Sequence, residues 1–298
     1  MALRLDPTTL TDAKLRAGVG KALTEMITGL TDQPQGPHIA IHEARKTLKR
    51  LRALYRLIAD GDRHFCERES ARLRDVARHL ASGREAAAFA ETARWLVSQA
   101  RSADETALVT RIATALEARR DALSDADVAQ QIALAVGDCQ AAMEGAGELS
   151  LPDSRKKMAR RVARGWQRAL RQGRRALSPL TVDADADAFH ELRKCIQRLN
   201  AYHDLLRPLW PQAMIARQDK LRDLIDTLGR ENDLAGIAAL MGREPQHFGE
   251  AIEQVVFQRI LAKRRQTLRL AALQQAAKVY ATDPQEDASR IEVLWRAA

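Results

Sequence analysis

The sequence predicts an all-α protein, and its composition, the spacing of its apolar residues and an internal repeat all support that fold class. Ala, Leu, Arg, Glu and Gln dominate the 298 residues, and all five are strong helix formers. No run of alternating β-branched residues is long enough to form a strand. We therefore expect long helices joined by short loops.

Glycine, proline and small polar residues mark where these helices end. Between the breaks, apolar residues recur at intervals of three and four, as they do on the buried face of a helix. The predicted breaks lie at residues 31–37, 149–153 and 178–187, between Pro208 and Pro211, and at Asp283–Pro284.

An internal repeat indicates that the chain is a duplicated helical unit. At an offset of 148 residues, positions 41–86 align without a gap over positions 189–234, and 12 of the 46 pairs are identical. A match of this kind is the signature of a repeated structural unit. The mid-chain loop separates the two copies, and we predict one domain for each copy. The predicted domains are residues 1–150 and 151–298.

The chain is strongly basic, and the excess of positive charge lies in its second half. The net charge is +9, from 48 Lys and Arg against 39 Asp and Glu. Residues 1–150 carry 21 basic and 21 acidic side chains, whereas residues 151–298 carry 27 and 18. Such an excess favours a polyanionic partner. Aromatic residues make up only 4%, which disfavours a single-strand nucleic-acid binder that stacks bases on aromatic rings.

The helix predicted over Ile41–Ile58 has one apolar face and one basic face. The basic face contains almost no acid beyond Glu43. Because like charges on a helix face repel each other, we expect a counter-charge from elsewhere. The apolar stripe is Ile41, Ala44, Leu48, Leu51, Leu54, Tyr55 and Ile58, and the basic face is His42, Arg45, Lys46, Lys49, Arg52 and Arg56.

The segment Arg155–Arg175 is more basic still. It holds ten Lys and Arg residues, and no acid occurs between Asp153 and Asp183. Smaller basic clusters lie in each half, at Arg119–Arg120 and at Lys263–Arg265. The apolar stripe of the segment is Met158, Val162, Trp166, Ala169, Leu170 and Leu177, and opposite it lie Arg160, Arg164, Arg168, Arg171 and Arg175.

The three cysteines, Cys66, Cys139 and Cys195, are odd in number and form no CxxC motif. This pattern disfavours a disulfide scaffold and a cysteine-rich zinc site, and it favours a reducing cytoplasm and buried thiols. No apolar run approaches the ~20 residues of a membrane span, and the N-terminus lacks the apolar stretch of a secretory signal.

Two copies of one motif resemble the signature of the CHAD domain, the conserved histidine α-helical domain. Residues 228–234, with the sequence LGRENDL, resemble the glycine–aspartate turn of that family. The resemblance covers nearly the whole chain. The signature residues are His42, Arg45, Lys46 and Arg50 in the first copy and His190, Arg193, Lys194 and Arg198 in the second.

The resemblance implies two pseudo-symmetric antiparallel four-helix bundles whose basic faces line a shared groove or channel. It also implies that inorganic polyphosphate binds there without catalysis and without a cofactor, in the cytoplasm and at polyphosphate granules. The residues expected to bind polyphosphate are His42, Arg45, Lys46, Lys49, Arg50, Arg52, Arg119, Arg120, Arg160, Arg164, Arg168, His190, Arg193, Lys194, Arg198, Lys263 and Arg264.

Both copies depart from the family pattern. The glycine–aspartate turn is degraded in the first copy, at Leu80–Glu85. The second copy has lost three basic residues, and we therefore expect an asymmetric polyanion site in which Arg155–Arg175 supplies the charge of the second half. The replacements are Gln197 for Lys49, Asn200 for Arg52 and Asp204 for Arg56.

Three other functions remain open at this stage. Basic helices also bind nucleic-acid phosphates, although no helix-turn-helix or zinc-finger pattern is present. A plain helical bundle with a solvated basic face needs no ligand at all. A metal-dependent phosphohydrolase would use the scattered residues His190, His203, Asp204 and Asp223 or Asp233, but the adjacent His203–Asp204 pair is not repeated in the first copy.

Overall fold

The computed structural model describes residues 3–122 and 125–298, apart from the side chains of residues 82–84, 125 and 126. Every regular element in these ranges is helical, so the all-α prediction is confirmed. The helices are α1 (Asp12–Asp32), α2 (Pro37–Leu57), α3 (Arg63–His79), α4 (Ser82–Ser98), α5 (Ala103–Asp121), α6 (Asp125–Ala146), α7 (Arg155–Leu177), α8 (Ala186–Leu205), α9 (Pro211–Arg243), α10 (Ala251–Val279) and α11 (Pro284–Ala297), with short 3-10 turns at Arg207–Leu209 and Pro245–His247.

Each predicted break falls between two helices, because the signals at these positions are local. Pro37, Pro211 and Pro284 stand in the first turn of α2, α9 and α11, where the missing N–H has no helical partner to lose. The hydroxyl of Ser154 caps α7 by accepting a hydrogen bond from the backbone N–H of Lys157 at 3.2 Å.

The larger apolar cluster draws on both halves of the chain. Helices α1, α2, α3 and α6 pack in a ring, α7 packs on α8 and α11, and α9 packs on α8 and α10. Helix α2 contacts both α7 and α8 and so joins the two halves. The predicted stripes lie in this cluster, with Leu54 and Trp166 fully buried. The division into two domains stays a prediction.

A second, smaller apolar cluster lies between the α4–α5 hairpin and the far ends of α9 and α10. Phe89 of α4 and Val109 of α5 pack there with Leu240 of α9 and Phe257 of α10. The larger cluster and this one therefore each combine residues from before and after the mid-chain loop.

The prediction of a turn at residues 228–234 is wrong, because that segment lies inside α9. The chain breaks instead at the equivalent place in the first copy, between α3 and α4. There the Nη1 of Arg45 donates to the carbonyl oxygens of Ala77 and Leu80, at 2.9 and 3.0 Å, and satisfies the end of α3. In the second copy the helix continues through Gly229, where a side-chain methyl would meet only ordinary contacts.

All three cysteines are free and buried, as predicted. Within the described ranges, no helix is both long enough and apolar enough to cross a bilayer.

Candidate functional site

The two helices that carry the signature copies, α2 and α8, pack against each other. Asp185 begins α8 by accepting a hydrogen bond from the backbone N–H of Ala188 at 2.8 Å. Leu51 of α2 and Leu199 of α8 are buried. Because both helices bury their apolar stripes, their basic residues gather along the edges of this pair.

Arginines from three helices lie near enough to Tyr202, which is 1% exposed, to act on its hydroxyl electrostatically. Burial raises the pKa of Tyr202 to about 12, and the positive charges of Arg198, Arg168 and Arg56 oppose that rise. These three residues belong to α8, α7 and α2. The structure therefore brings the basic faces of α2, α7 and α8 together at one place.

Arg52 lies among positive charges that repel one another, of which Arg74 lies 3.9 Å from the carboxylate of Asp75. The pKa of Arg52 is lowered to about 10, first by burial of its guanidinium and then by the positive charges of Arg56, Arg74 and Arg198. The negative charge of Asp75 opposes this shift. Burial followed by the charge of Arg198 also lowers the pKa of Arg56. Cations that lower each other's pKa in this way favour the arrival of an anion.

Among the described residues, none of Arg52, Arg56 and Arg198 has a carboxylate within the 4.0 Å of an ion pair. The Nη1 of Arg198 donates to the neutral amide oxygen of Gln172. The Nε atoms of Arg52 and Arg198 are buried, and they have no hydrogen-bond partner in the described part of the chain. We call the group of Arg52, Arg56, Arg74, Arg168 and Arg198 the arginine cluster.

A glycine lets α7 approach α2 closely enough to complete the arginine cluster. A methyl group added at Gly165 would lie 1.9 Å from the carbonyl oxygen of Leu57, so only glycine fits at this crossing. One turn further along α7, the Nη2 of Arg168 donates to the carbonyl oxygen of Arg56 at 3.4 Å. A cation at the C-terminal end of a helix such as α2 is stabilised by the helix dipole.

The turn that follows α2 is held by Arg161, which is 7% exposed. Its Nη1 donates to the carbonyl oxygen of Ser150 at 3.0 Å, and its Nε donates to the carbonyl oxygen of Asp60. Gly61 adopts a positive φ of 97°, and a side chain there would lie 2.9 Å from Arg161. This buried arginine is structural and does not face solvent.

Two other predicted residues of α7 are paired with acids. Arg164 forms an ion pair of 2.8 Å with Asp60, and Arg160 lies 3.7 Å from Glu292 of α11. Of the three α7 arginines predicted to bind polyphosphate, only Arg168 belongs to the arginine cluster.

The signature lysines and histidines lie on exposed or partly exposed helix surface. Lys46 pairs with Glu43 at 2.9 Å, and Lys194 pairs with Glu191 in the same relative position. His42 is 47% exposed, and its Nε2 lies 4.0 Å from Glu43. Lys49 is exposed on α2.

The histidine of the second copy has a different environment from that of the first. The Nδ1 of His190 donates to the Oδ1 of Asn232 on α9 at 2.7 Å. Arg193 lies along the same helix, and its Nη2 would be 3.4 Å from a methyl group added at Gly229. These contacts anchor α8 on α9.

Arg50 is paired across the two copies. Its Nη2 lies 2.7 Å from the Oδ2 of Asp204, and the Oδ1 of Asp204 lies 3.1 Å from the Nη2 of Arg207. Arg50 and its equivalent Arg198 therefore differ, because Arg50 has an acidic partner and Arg198 has none among the residues that the structure describes.

The remaining predicted residues lie around the second apolar cluster. Arg119 forms a bidentate pair with Glu244 at 2.7 and 3.0 Å, and Arg120 pairs with Asp121 at 2.7 Å. Lys263 and Arg264 belong to the first half of α10. Lys263 is exposed, whereas Arg264 lies 3.9 Å from Glu105 and donates to the carbonyl oxygen of Gln99. Helix α5 contacts α4, and helix α10 contacts α9.

The residues proposed for a metal-dependent enzyme have separate partners. The Nδ1 of buried His203 donates to the carbonyl oxygen of Leu199 at 2.8 Å, and Asp204 pairs with Arg50 and Arg207. In the part of the chain that the structure describes, no three His, Cys, Asp or Glu residues are grouped as metal ligands.

Three residues that matter here were not among those expected to bind polyphosphate. Arg56 lies on the predicted basic face of α2, and Arg74 is one of the identical pairs of the repeat, with Arg222. Gly165 falls within the apolar stripe of α7, next to Trp166. A glycine inside an apolar stripe is a signal for close helix packing.

A family model, described as the CHAD domain, matches residues 21–242 of the 298-residue chain. The matched range contains both signature copies and every residue of the arginine cluster. No curated protein and no solved structure matches the chain. Because the family model covers well over half of the sequence, the chain belongs to the CHAD domain family.

Proposed function

We propose that this protein binds inorganic polyphosphate at the arginine cluster, without catalysing a reaction. One observation carries the proposal: Arg52, Arg56 and Arg198 converge from both signature helices, and none of them forms an ion pair with a described carboxylate. Membership of the CHAD family is consistent with this ligand.

The chemistry of the arginine cluster suits a polymer of phosphate. Each guanidinium offers a planar fork that can grip two phosphate oxygens and stays charged at neutral pH. Polyphosphate carries about one negative charge per phosphate and no bases, so it needs spaced cations and no stacking surface. Tyr202, which three arginines of the arginine cluster influence, is buried and cannot stack on a base.

Eleven of the other fourteen predicted residues fall into two groups, and the remaining three, Arg45, Arg50 and Arg193, lie against neighbouring helices. Arg119, Arg120, Arg160, Arg164 and Arg264 have acidic partners, and we expect them to contribute less. The exposed or solvent-facing positions remain candidates for outer contacts with a long polymer, and they are His42, Lys46, Lys49, His190, Lys194 and Lys263.

We also propose that the helices form two pseudo-symmetric bundles with a basic groove between them. Two observations support this: α1, α2, α3 and α6 pack in one ring, and α7, α8, α9 and α10 contact each other in the same cyclic order. The basic faces of α2 and α8 would then meet at the junction. The location that we propose, in the cytoplasm at polyphosphate granules, rests on the same ligand.

A titration with polyphosphates of several chain lengths at two salt concentrations tests the proposal. We expect the affinity to rise with chain length and to fall steeply with salt, because binding releases counterions. Tight binding of single phosphate or of ATP, without a dependence on length, would overturn it.

Two further measurements separate this function from the alternatives. At equal phosphate concentration and equal salt, duplex DNA should not displace long-chain polyphosphate, and displacement would favour a nucleic-acid partner. Incubation of the protein with long-chain polyphosphate should release no phosphate, and release would show that the protein is an enzyme.

A further inference from the structure

The α2–α8 pair has two edges that the internal repeat relates. We call the first of them the open edge. There, Arg198 of α8 lies close enough to Arg56 of α2 for its positive charge to lower the pKa of Arg56. In the internal repeat, Arg198 corresponds to Arg50 and Arg56 corresponds to Asp204, at the offset of 148 residues. We call the place where Arg50 meets Asp204 the paired edge.

Asp204 uses both carboxylate oxygens on the paired edge. Its Oδ2 lies 2.7 Å from the Nη2 of Arg50, and its Oδ1 lies 3.1 Å from the Nη2 of Arg207. The positive charges of Arg4 and Arg207 also act on Arg50. The side chains of Arg50, Asp204 and Arg207 are 24%, 20% and 22% exposed. Two arginines, Arg50 and Arg207, therefore hold one carboxylate in a partly enclosed place.

The N-terminal segment covers the paired edge as well. The carbonyl oxygen of Leu3 accepts a hydrogen bond from the Nη2 of Arg50. The backbone N–H of Leu5 donates to the carbonyl oxygen of Leu205 at 2.8 Å, and the Leu5 side chain is fully buried. The Nη2 of Arg50 is thus occupied by groups of the protein itself, the Leu3 carbonyl and the Asp204 carboxylate, while its Nε has no hydrogen-bond partner among the described residues.

We propose that Asp204 is an internal carboxylate ligand that fills the anion site of the paired edge, so that polyphosphate is held on the open edge alone. The inference rests on the proposed function, because it concerns where the same polymer binds. A carboxylate and a phosphate compete for the same guanidinium donors. Where the first copy has Arg56, the second copy has a built-in anion.

The repeat supplies a matched pair of variants that tests this directly. Arg198→Gln removes a cation from the open edge, and we expect its affinity for long-chain polyphosphate to fall about 10-fold, the effect of one lost charge-assisted contact. Arg50→Gln removes the equivalent cation from the paired edge, and we expect affinity within about 2-fold of the unmodified protein.

Asp204→Asn provides the converse test. It frees Arg50 and Arg207, and we expect more phosphates to be bound per chain and a higher affinity in a calorimetric titration. Asp219→Asn removes the same charge from an exposed position on α9 and serves as the control. The double variant Arg50→Gln with Asp204→Asn should lose most of the gain, because the gain depends on Arg50. Thermal unfolding of each variant shows that it is folded.

The outcomes distinguish this inference from the proposed function. Failure of the unmodified protein to bind polyphosphate would overturn the proposed function. Binding that is weakened equally by Arg50→Gln and Arg198→Gln would overturn the inference and leave the proposed function standing. The inference is equally wrong if Asp204→Asn and Asp219→Asn have the same effect.

Discussion

The backbone of Gly165 lies against the carbonyl group of Leu57, where α7 crosses the end of α2. A methyl group at Gly165 would be 1.9 Å from that oxygen, well inside van der Waals contact. The close crossing sets the position of Arg168 beside Arg56. One small residue therefore determines both the packing of the two halves and the completeness of the arginine cluster.

We expect Gly165→Ala to destabilise the protein by about 3 kcal/mol, because a backbone oxygen cannot move away as a flexible side chain can. Gly229→Ala, inside α9, is the matched control. It meets only the tip of Arg193, and we expect it to be neutral or to stabilise by about 0.5 kcal/mol. Urea unfolding measures both, and equal effects would contradict the close crossing.

Arg52→Gln is expected to move stability and affinity in opposite directions. Without ligand, removing one of several repelling cations should raise the free energy of unfolding, by on the order of 1 kcal/mol or less for a side chain that is partly solvated. The affinity for polyphosphate should fall about 10-fold, and the salt slope should decrease by about one unit. Loss of stability together with unchanged affinity would show that Arg52 is structural.

His203 makes the stability of the fold depend on pH. Burial lowers its pKa from the ordinary 6.5 to about 4. Between these two pH values the unfolded chain takes up a proton on His203 that the folded protein does not. The free energy of unfolding therefore decreases as the pH falls from 6.5 toward 4, and above pH 6.5 His203 does not change it. The full effect is about 3 kcal/mol.

The measurement compares urea unfolding near neutral pH and near pH 4.5 in the unmodified protein and in His203→Gln. The unmodified protein should lose roughly 2 to 3 kcal/mol more than the variant over this range. Parallel losses in both proteins would mean that His203 does not carry the pH dependence.

Glu231 is the central acid of a buried ion network. It is 1% exposed, and its Oε1 accepts from the Nε of Arg269 at 2.8 Å and the Nη2 of Arg265 at 3.0 Å. Glu231→Gln leaves these cations without a counter-charge, and we expect a loss of about 3 kcal/mol. Glu67→Gln removes an exposed partner of Arg63 and should cost less than about 1 kcal/mol in the same unfolding experiment.

The sequence was sufficient for the parts of the fold that depend on local signals. Pro37, Ser154 and Asp283 mark helix starts through their own backbone or side-chain chemistry, and the structure begins α2, α7 and α11 there. The burial of Trp166 follows from its place in an apolar stripe. Such features need no knowledge of what lies opposite.

The contacts between distant segments could not be predicted in the same way. The alignment of the two copies shows that Asp204 replaces an arginine, but not that its carboxylate meets Arg50, because that contact depends on how α2 and α8 cross. The glycine–aspartate turn was mispredicted because Gly229 is compatible with a helix interior. Arg45 donates to Leu80 only because α3 ends at that point.

The central claim is that polyphosphate binds at the arginine cluster and not to positive charge in general. Two triple variants that remove the same charge test it most directly. Arg52→Gln, Arg56→Gln and Arg198→Gln together remove three of the five cations of the arginine cluster. Lys220→Gln, Arg259→Gln and Lys278→Gln change exposed residues of α9 and α10.

The measurement is the affinity of both variants for long-chain polyphosphate at a single salt concentration. We predict a loss of at least about 100-fold for the arginine-cluster variant, since three charge-assisted contacts are removed, and less than about 3-fold for the control. Equal losses in the two variants would contradict the account, because they would show that net charge alone attracts the polymer.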